Sequence, residues 1–198
     1  MGYWSSGETR SAITAGLILA FLAVSGGCSS GGDKSLDAGT EAEPSIPAGA
    51  TIWKSANGGN DHGYLLVTAA NGITWTDANA AATAAGGYLV TTTTAAENAF
   101  VQALVTPVAS AWMLFPSSTT YLGPWLGASA EGTTWSWVTL EPWDYTDWES
   151  GQPSGTSNGG EVEDKLQWIA IGDPSGSPEI GWNDTTDFAG PSYVIEFE

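Results

Sequence analysis

Residues able to ligate a cation are gathered between positions 148 and 184. Trp148-Glu149-Ser150-Gly151-Gln152-Pro153-Ser154 opens the stretch, and Glu161-Val162-Glu163-Asp164-Lys165-Leu166-Gln167-Trp168 joins carboxylates to an apolar run. Gly181-Trp182-Asn183-Asp184 closes it. Carboxylate, carboxamide and hydroxyl oxygens thus recur at three places, each beside a tryptophan. A hard cation such as calcium takes about six to eight oxygen ligands in flexible geometry, and loops held by a packed core can supply them. Acid-rich turns in an acidic chain also occur as plain solvated surface. The residues alone serve either reading.

The elements that must position this stretch follow from size and pattern. The chain has 198 residues, 42% of them apolar and eleven of them tryptophan, which describes a globular domain with extra segments. Four Lys and Arg stand against 22 Asp and Glu, a net charge of −18. Such a surface repels phosphates, so nucleic acid is excluded as a partner. Catalysis is poorly served too. His62 is the only histidine and lies in a turn cluster with no nucleophile motif nearby. A glycosidase would need two acids across a cleft, and Glu163 with Asp184 is the nearest candidate pair. The chain reads as a binding protein, not an enzyme.

Residues 1–28 read as a targeting segment, with one basic residue, Arg10, and an apolar run over 12–24 too short for a membrane span. Ser25-Gly26-Gly27-Cys28 resembles the lipobox of bacterial lipoproteins, which implies lipidation of Cys28 and a place in the bacterial cell envelope; the competing reading is an ordinary secretory signal peptide or an uncleaved anchor. Membrane contact is expected only through that lipid. Cys28 is the sole cysteine, so no internal disulfide can form. Residues 29–50, rich in Gly, Ser, Pro and acids, read as a flexible tether. The domain is expected over residues 51–198.

Within it, the run 62–68 is β-rich and follows a turn cluster at 57–61. Asn71-Gly72 marks another turn. Thr74 caps a helix over 75–85 with Asp77 at its favourable end, and Gly86-Gly87 stops it. Tyr88-Leu89-Val90 is a short buried strand. Thr94-Ala95-Ala96-Glu97 is a capping box opening a second helix over 95–105, with Phe100, Val101, Leu104 and Val105 on its apolar face. Short strands follow at 125–128, 135–137, 166–170, 179–182 and 192–197. The alternation in Trp135-Ser136-Trp137 puts both indoles on one face. Two helices early and short strands late give an α+β class.

In this order the segments resemble a C-type lectin-like domain over residues 63–198. The resemblance rests on Gly63-Tyr64, Trp75-Thr76-Asp77-Ala78, Gly86-Gly87-Tyr88-Leu89 and Ala96-Glu97-Asn98. It continues through Trp125-Leu126-Gly127, Trp135-Ser136-Trp137, Trp148 with Gly151-Gln152-Pro153, Glu163-Asp164, Trp182-Asn183-Asp184 and Tyr193-Val194-Ile195-Glu196. It implies two helices, short antiparallel strands and a long ligand-binding loop. The family's cysteines are absent; Lys165 and Ile195 stand at two of their positions. Removing a disulfide from a small secreted domain costs about 2–5 kcal/mol, and the tryptophans are expected to compensate as core. Trp125, Trp135, Trp137 and Trp148 are read as structural, and Trp168 and Trp182 as packing residues too.

The resemblance further implies one calcium site that ligates two neighbouring sugar hydroxyls. Carried over by position, its ligands are Gln152, Ser154, Glu163, Asn183 and Asp184, with Gln152, Glu163, Asn183 and Asp184 also contacting the carbohydrate and Pro153 in the cis form. Serine at 154 replaces the usual Asn or Asp by a shorter neutral ligand. Affinity for Ca2+ is therefore expected to be modest, unless Asn158 or Glu161 reaches in. An auxiliary site would retain only Glu131 and Asp164 and is expected to be lost. Asp144, Asp147, Asp173, Glu179 and Asp187 have no motif context and are read as solvated. The partner implied is a glycan or glycoprotein. The alternative is a calcium-independent protein–protein interaction domain that uses residues 142–158 as its contact loop.

Overall fold

The computed structural model describes residues 45–198. The targeting segment, Cys28 and positions 29–44 of the tether lie outside the described residues. Ile46 and Ala50, at the end of the segment read as a tether, pack against the apolar cluster that holds Tyr193 and Phe197.

The chain runs β1 (Thr51–Ile52), β2 (Gly63–Ile73), α1 (Trp75–Ala84), β3 (Tyr88–Leu89), α2 (Ala95–Val105), β4 (Met113–Leu114), β5 (Thr120–Glu131), β6 (Thr134–Trp137), β7 (Lys165–Ile171), β8 (Glu179–Thr185) and β9 (Gly190–Phe197). The main path of the sheet is β1-β2-β9-β5-β7-β8, with β3 beside β9 and both β4 and β6 beside β5. The last strand pairs antiparallel with β2, Gly63 against Phe197 through Thr68 against Ser192. The Asn71-Gly72 turn expected from sequence is instead an irregularity inside β2, where the register shifts between Thr68 and Ile73. Gly72 adopts φ +75, which admits the kink without breaking the strand.

Side chains alternate across a strand, so the central strands feed two cores. Leu126 and Val194 face one cluster with Val101, Val105, Trp137, Leu166, Trp168 and Trp182. Trp125, Tyr193 and Ile195 face the other with Trp75, Ala78 and Ala82 of α1. Ala78 and Ala82 are four residues apart on one helix face, and their small side chains let α1 lie close to the sheet. The Thr74 hydroxyl accepts the Asp77 N–H at 3.1 Å. At the other end the Gly87 N–H returns to the Ala82 carbonyl and the Gly86 N–H to that of Thr83, a Schellman closure with Gly86 at φ +84.

The second helix starts as the capping box predicts in one half only. Thr94 Oγ accepts the Glu97 N–H, but the Glu97 carboxylate turns to the Thr93 N–H at 2.9 Å. Its other oxygen accepts the Tyr64 hydroxyl at 2.7 Å.

Tryptophan dominates the core. Trp125, Trp137, Trp168 and Trp182 are buried, and each such side chain removes about 150–250 Å2 from water. Trp137 and Trp182 meet edge-to-face at 5.6 Å, while Trp135, Trp143 and Trp148 extend the cluster toward the long loop. One polar residue threads through it. The Asn98 side-chain oxygen accepts the indole N–H groups of Trp168 at 3.2 Å and Trp182 at 3.1 Å. Its amide nitrogen donates to Asp147 at 2.7 Å.

Candidate functional site

Residues 138–164, between β6 and β7, form the long loop, and β8 holds its middle in place. The Glu149 N–H donates to the Trp182 carbonyl at 2.9 Å, and the Trp182 N–H donates to the Asp147 carbonyl at 2.6 Å. Gly181 permits this approach, since a Cβ there would stand 2.9 Å from the Glu149 backbone. The Gln152–Pro153 bond is cis.

Four of the five expected ligands then form one hydrogen-bonded set. The Ser154 hydroxyl donates to Glu163 Oε2 at 2.7 Å. The Ser154 N–H lies 2.8 Å from Asp184 Oδ1 and 3.0 Å from Gln152 Oε1. The Gly155 N–H donates to Asp184 Oδ2 at 2.6 Å. Asn183 is not tied to that set, but lines the same groove as Gln152 and Glu163.

Neighbours on β8 have unlike roles. Asn183 lines the groove, whereas Asp184 is 1% exposed and both its oxygens accept loop N–H groups. Its first role is to pin the loop. A carboxylate oxygen has a second lone pair, so this does not bar it from also facing a cation.

The groove has a volume of about 830 Å3. One wall is the long loop, with Glu149, Gln152, Asn158, Glu161 and Glu163; the floor is the face of β5, β7 and β8 that carries Leu122, Gln167, Ile169 and Asn183. The opposite wall is Met113, Leu114 and Phe115, exposed apolar side chains that sequence reading left unassigned. Among the described residues the basic side chains are Lys54, His62 and Lys165, and none of them lines the groove. The site is therefore negative along one edge and apolar along the other.

As a metal site the donor set is all oxygen, which suits a hard cation in kind. It carries two carboxylates, Glu163 and Asp184, and among the described residues no group of three or more His, Cys, Asp and Glu converges on one point. Asn158 and Glu161, the residues that sequence reading named as replacements for a full-length ligand at 154, do line the groove. Of the auxiliary pair, Asp164 is engaged by Lys165 at 3.0 Å.

The sequence model of the lectin C-type domain family matches residues 71–185. The chain belongs to that family. It is a family of non-enzymatic binding modules. In fold the chain is similar to human lithostathine, at 21% identity and a TM-score of 0.56 over 78% of this chain and 91% of that one. It is also similar to the C-type carbohydrate-recognition domain of cow CD23, solved in the presence of a GlcNAc2Man3 oligosaccharide, at 17% identity and 0.51 over 77% and 95%. A third is a calcium-independent type II antifreeze protein, at 19% identity and 0.52 over 79% and 96%. No curated protein matches this chain in sequence.

Two acids read as solvated prove to be structural. Asp187 accepts the Trp75 N–H at 2.6 Å and the Thr76 hydroxyl at 2.5 Å, so it caps α1 from a distant loop. Asp147 anchors Asn98 from the long loop. Neither was legible, because both bonds join segments far apart in the chain. Gln167 was overlooked as well. Its signal was present: a lone carboxamide inside the apolar run Leu166-Gln167-Trp168-Ile169-Ala170.

Proposed function

We propose that this domain is a carbohydrate-binding module that holds a glycan in the groove beneath the long loop, with one calcium ion of modest affinity as its bridge. The supporting observation is the joining of Gln152, Ser154, Glu163 and Asp184 in one hydrogen-bonded set beside that groove. A calcium ion there would offer its open coordination positions to two neighbouring sugar hydroxyls. Glu163 and the carboxamides of Gln152 and Asn183 would complete the contact by hydrogen bonding to those hydroxyls. The leader sequence supports display on a bacterial cell envelope through lipidated Cys28.

A glycan array probed with the full chain, in calcium and in chelator, tests the reading. Binding to a defined set of glycans, lost in chelator, is the expected result. An array blank in both conditions would overturn it.

One observation favours the alternative, a calcium-independent protein-binding domain. Leu114 and Phe115 stand half exposed on the groove wall opposite the long loop. That reading requires binding to survive chelation and to depend on residues 142–158.

A further inference from the structure

Among the described residues seven large apolar side chains stand exposed, and four of them, Met113, Leu114, Phe115 and Ile171, line the groove. None of the four belongs to either apolar cluster of the core. Exposed apolar residues scattered singly are ordinary, whereas several gathered on one surface mark a place of contact. The wall they form is held in shape. Met113 and Leu114 pair with Leu122 and Tyr121 of β5. The Phe115 N–H donates to the Thr120 carbonyl at 2.8 Å, and the Ser118 hydroxyl donates to the Phe115 carbonyl at 2.9 Å. A preformed wall gives up little conformational freedom when it is covered, so more of the contact energy remains for binding.

Charge selects what covers that wall. The long loop faces it with Glu149, Glu161 and Glu163. None of these carboxylates is in an ion pair, since the ion pairs among the described residues join His62 to Glu196 and Lys165 to Asp164. A phosphate-bearing lipid or nucleic acid is repelled. So is a second copy of this chain, with its net charge of −18. The chain's own residues 29–44 fit no better, because Asp33, Asp37, Glu41 and Glu43 outnumber Lys34. The complement is a ligand that is cationic on one side and apolar on the other. A volume of about 830 Å3 suits a short segment better than the face of a folded domain. We propose that the groove docks a short basic and apolar segment of a partner protein. Its lysine or arginine heads lie against Glu149, Glu161 and Glu163, and its apolar side chains lie on Met113, Leu114 and Phe115. The inference does not rest on the glycan-binding reading. It uses the apolar wall, which that reading leaves idle, and calcium at Glu163 would leave Glu149 and Glu161 to hold the segment.

The probes are three short synthetic peptides, titrated calorimetrically into the full chain in chelator. One alternates lysine with leucine and phenylalanine, one alternates lysine with serine, and one alternates glutamate with leucine and phenylalanine. Wild-type protein should bind the first at least about tenfold more tightly than either of the others, which corresponds to about 1.4 kcal/mol. The double variant Leu114→Ser/Phe115→Ser should bind the two lysine peptides about equally and unfold at the wild-type temperature, because both side chains lie outside the core. Glu149→Gln/Glu161→Gln should weaken the lysine–leucine peptide by at least about tenfold. Equal binding of the two lysine peptides by wild type would show charge attraction alone and overturn the inference. A preference unchanged in Leu114→Ser/Phe115→Ser, or a glutamate peptide bound as tightly as the basic one, would overturn it too. Sedimentation that shows a wild-type dimer lost in Leu114→Ser/Phe115→Ser would give the wall to a second copy, again against the inference. None of these results alters what the glycan array reads.

Discussion

The carboxylate of Asp184 accepts the backbone N–H of Ser154 at 2.8 Å, joining a strand of the sheet to the turn after Pro153. A second N–H, from Gly155, reaches its other oxygen. A residue carried over as a metal ligand is thus also the pin of the ligand-binding loop, so its mutation cannot separate the two roles. Glu163 is better placed for that purpose. It is half-buried and contacts the loop only through the Ser154 hydroxyl and its own backbone.

Asp184→Ala should therefore destabilise the domain as well as abolish ligand binding. The N–H groups of Ser154 and Gly155 lose the carboxylate that accepts them, though the Ser154 N–H keeps Gln152 Oε1, so the loss should be about 1–2 kcal/mol in all. For a chain of this size the unfolding midpoint should drop by about 2–4 °C per kcal/mol. Differential scanning calorimetry in chelator reads this directly, and an unchanged midpoint would mean that the loop is held elsewhere.

Glu163→Gln should behave differently. The carboxamide oxygen can still accept from Ser154, so stability in chelator should stay within about 0.5 kcal/mol of wild type. Calcium and sugar binding should both be lost. Full retention of glycan binding would place the glycan at another site.

Asn98→Ala tests the core. Its side-chain oxygen is the acceptor for two buried indole N–H groups, and its amide holds Asp147. Leaving those groups unpaired should cost about 3–5 kcal/mol. Denaturant unfolding followed by tryptophan fluorescence is the measurement, and a loss under 1 kcal/mol would mean that water replaces the amide without penalty.

Stability should fall as the solution is made alkaline. His62 Nδ1 lies 2.7 Å from Glu196 Oε1, in a cluster that also holds Tyr64, Glu97 and Thr91. The hydrogen bond to Glu196 raises the His62 pKa above its ordinary 6.5. Burial raises that of Glu196 above 4.5, with His62 opposing. Both groups hold their proton more tightly in the folded chain than in the unfolded one. The His62 contribution is complete below 6.5 and is lost as pH climbs through the raised folded value; Glu196 acts in the same direction from 4.5 upward. The unfolding midpoint should decline by about a few degrees between pH 6 and pH 8.5, and His62→Gln should flatten that decline. A midpoint that rises over this range would contradict the assignment.

What the sequence disclosed was local or periodic. Thr74 and Gly86 bounded α1, Thr94 opened α2, and the alternation in Trp135-Ser136-Trp137 put both indoles into one cluster. Ordered motifs disclosed the fold and the residues that meet around Ser154. Contacts between distant segments stayed hidden, because no pattern along the chain records them. Asp187 at the N-terminus of α1 and Asp147 at Asn98 are such cases. The Met113–Leu114 strand was missed for another reason: two residues are too few to show a period, and only pairing with Leu122 and Tyr121 defines them.

The most direct test of a calcium-bridged glycan site is thermal unfolding of the full chain in millimolar calcium and in chelator, for wild type beside Glu163→Gln. An ion that binds only the folded state raises stability by mass action, about 2.7 kcal/mol at a hundredfold excess over Kd and less for a weaker site. Wild type should gain about one to several degrees in calcium and Glu163→Gln nothing. No shift for wild type at 10-fold higher calcium would contradict the account and leave the calcium-independent protein-binding reading in its place.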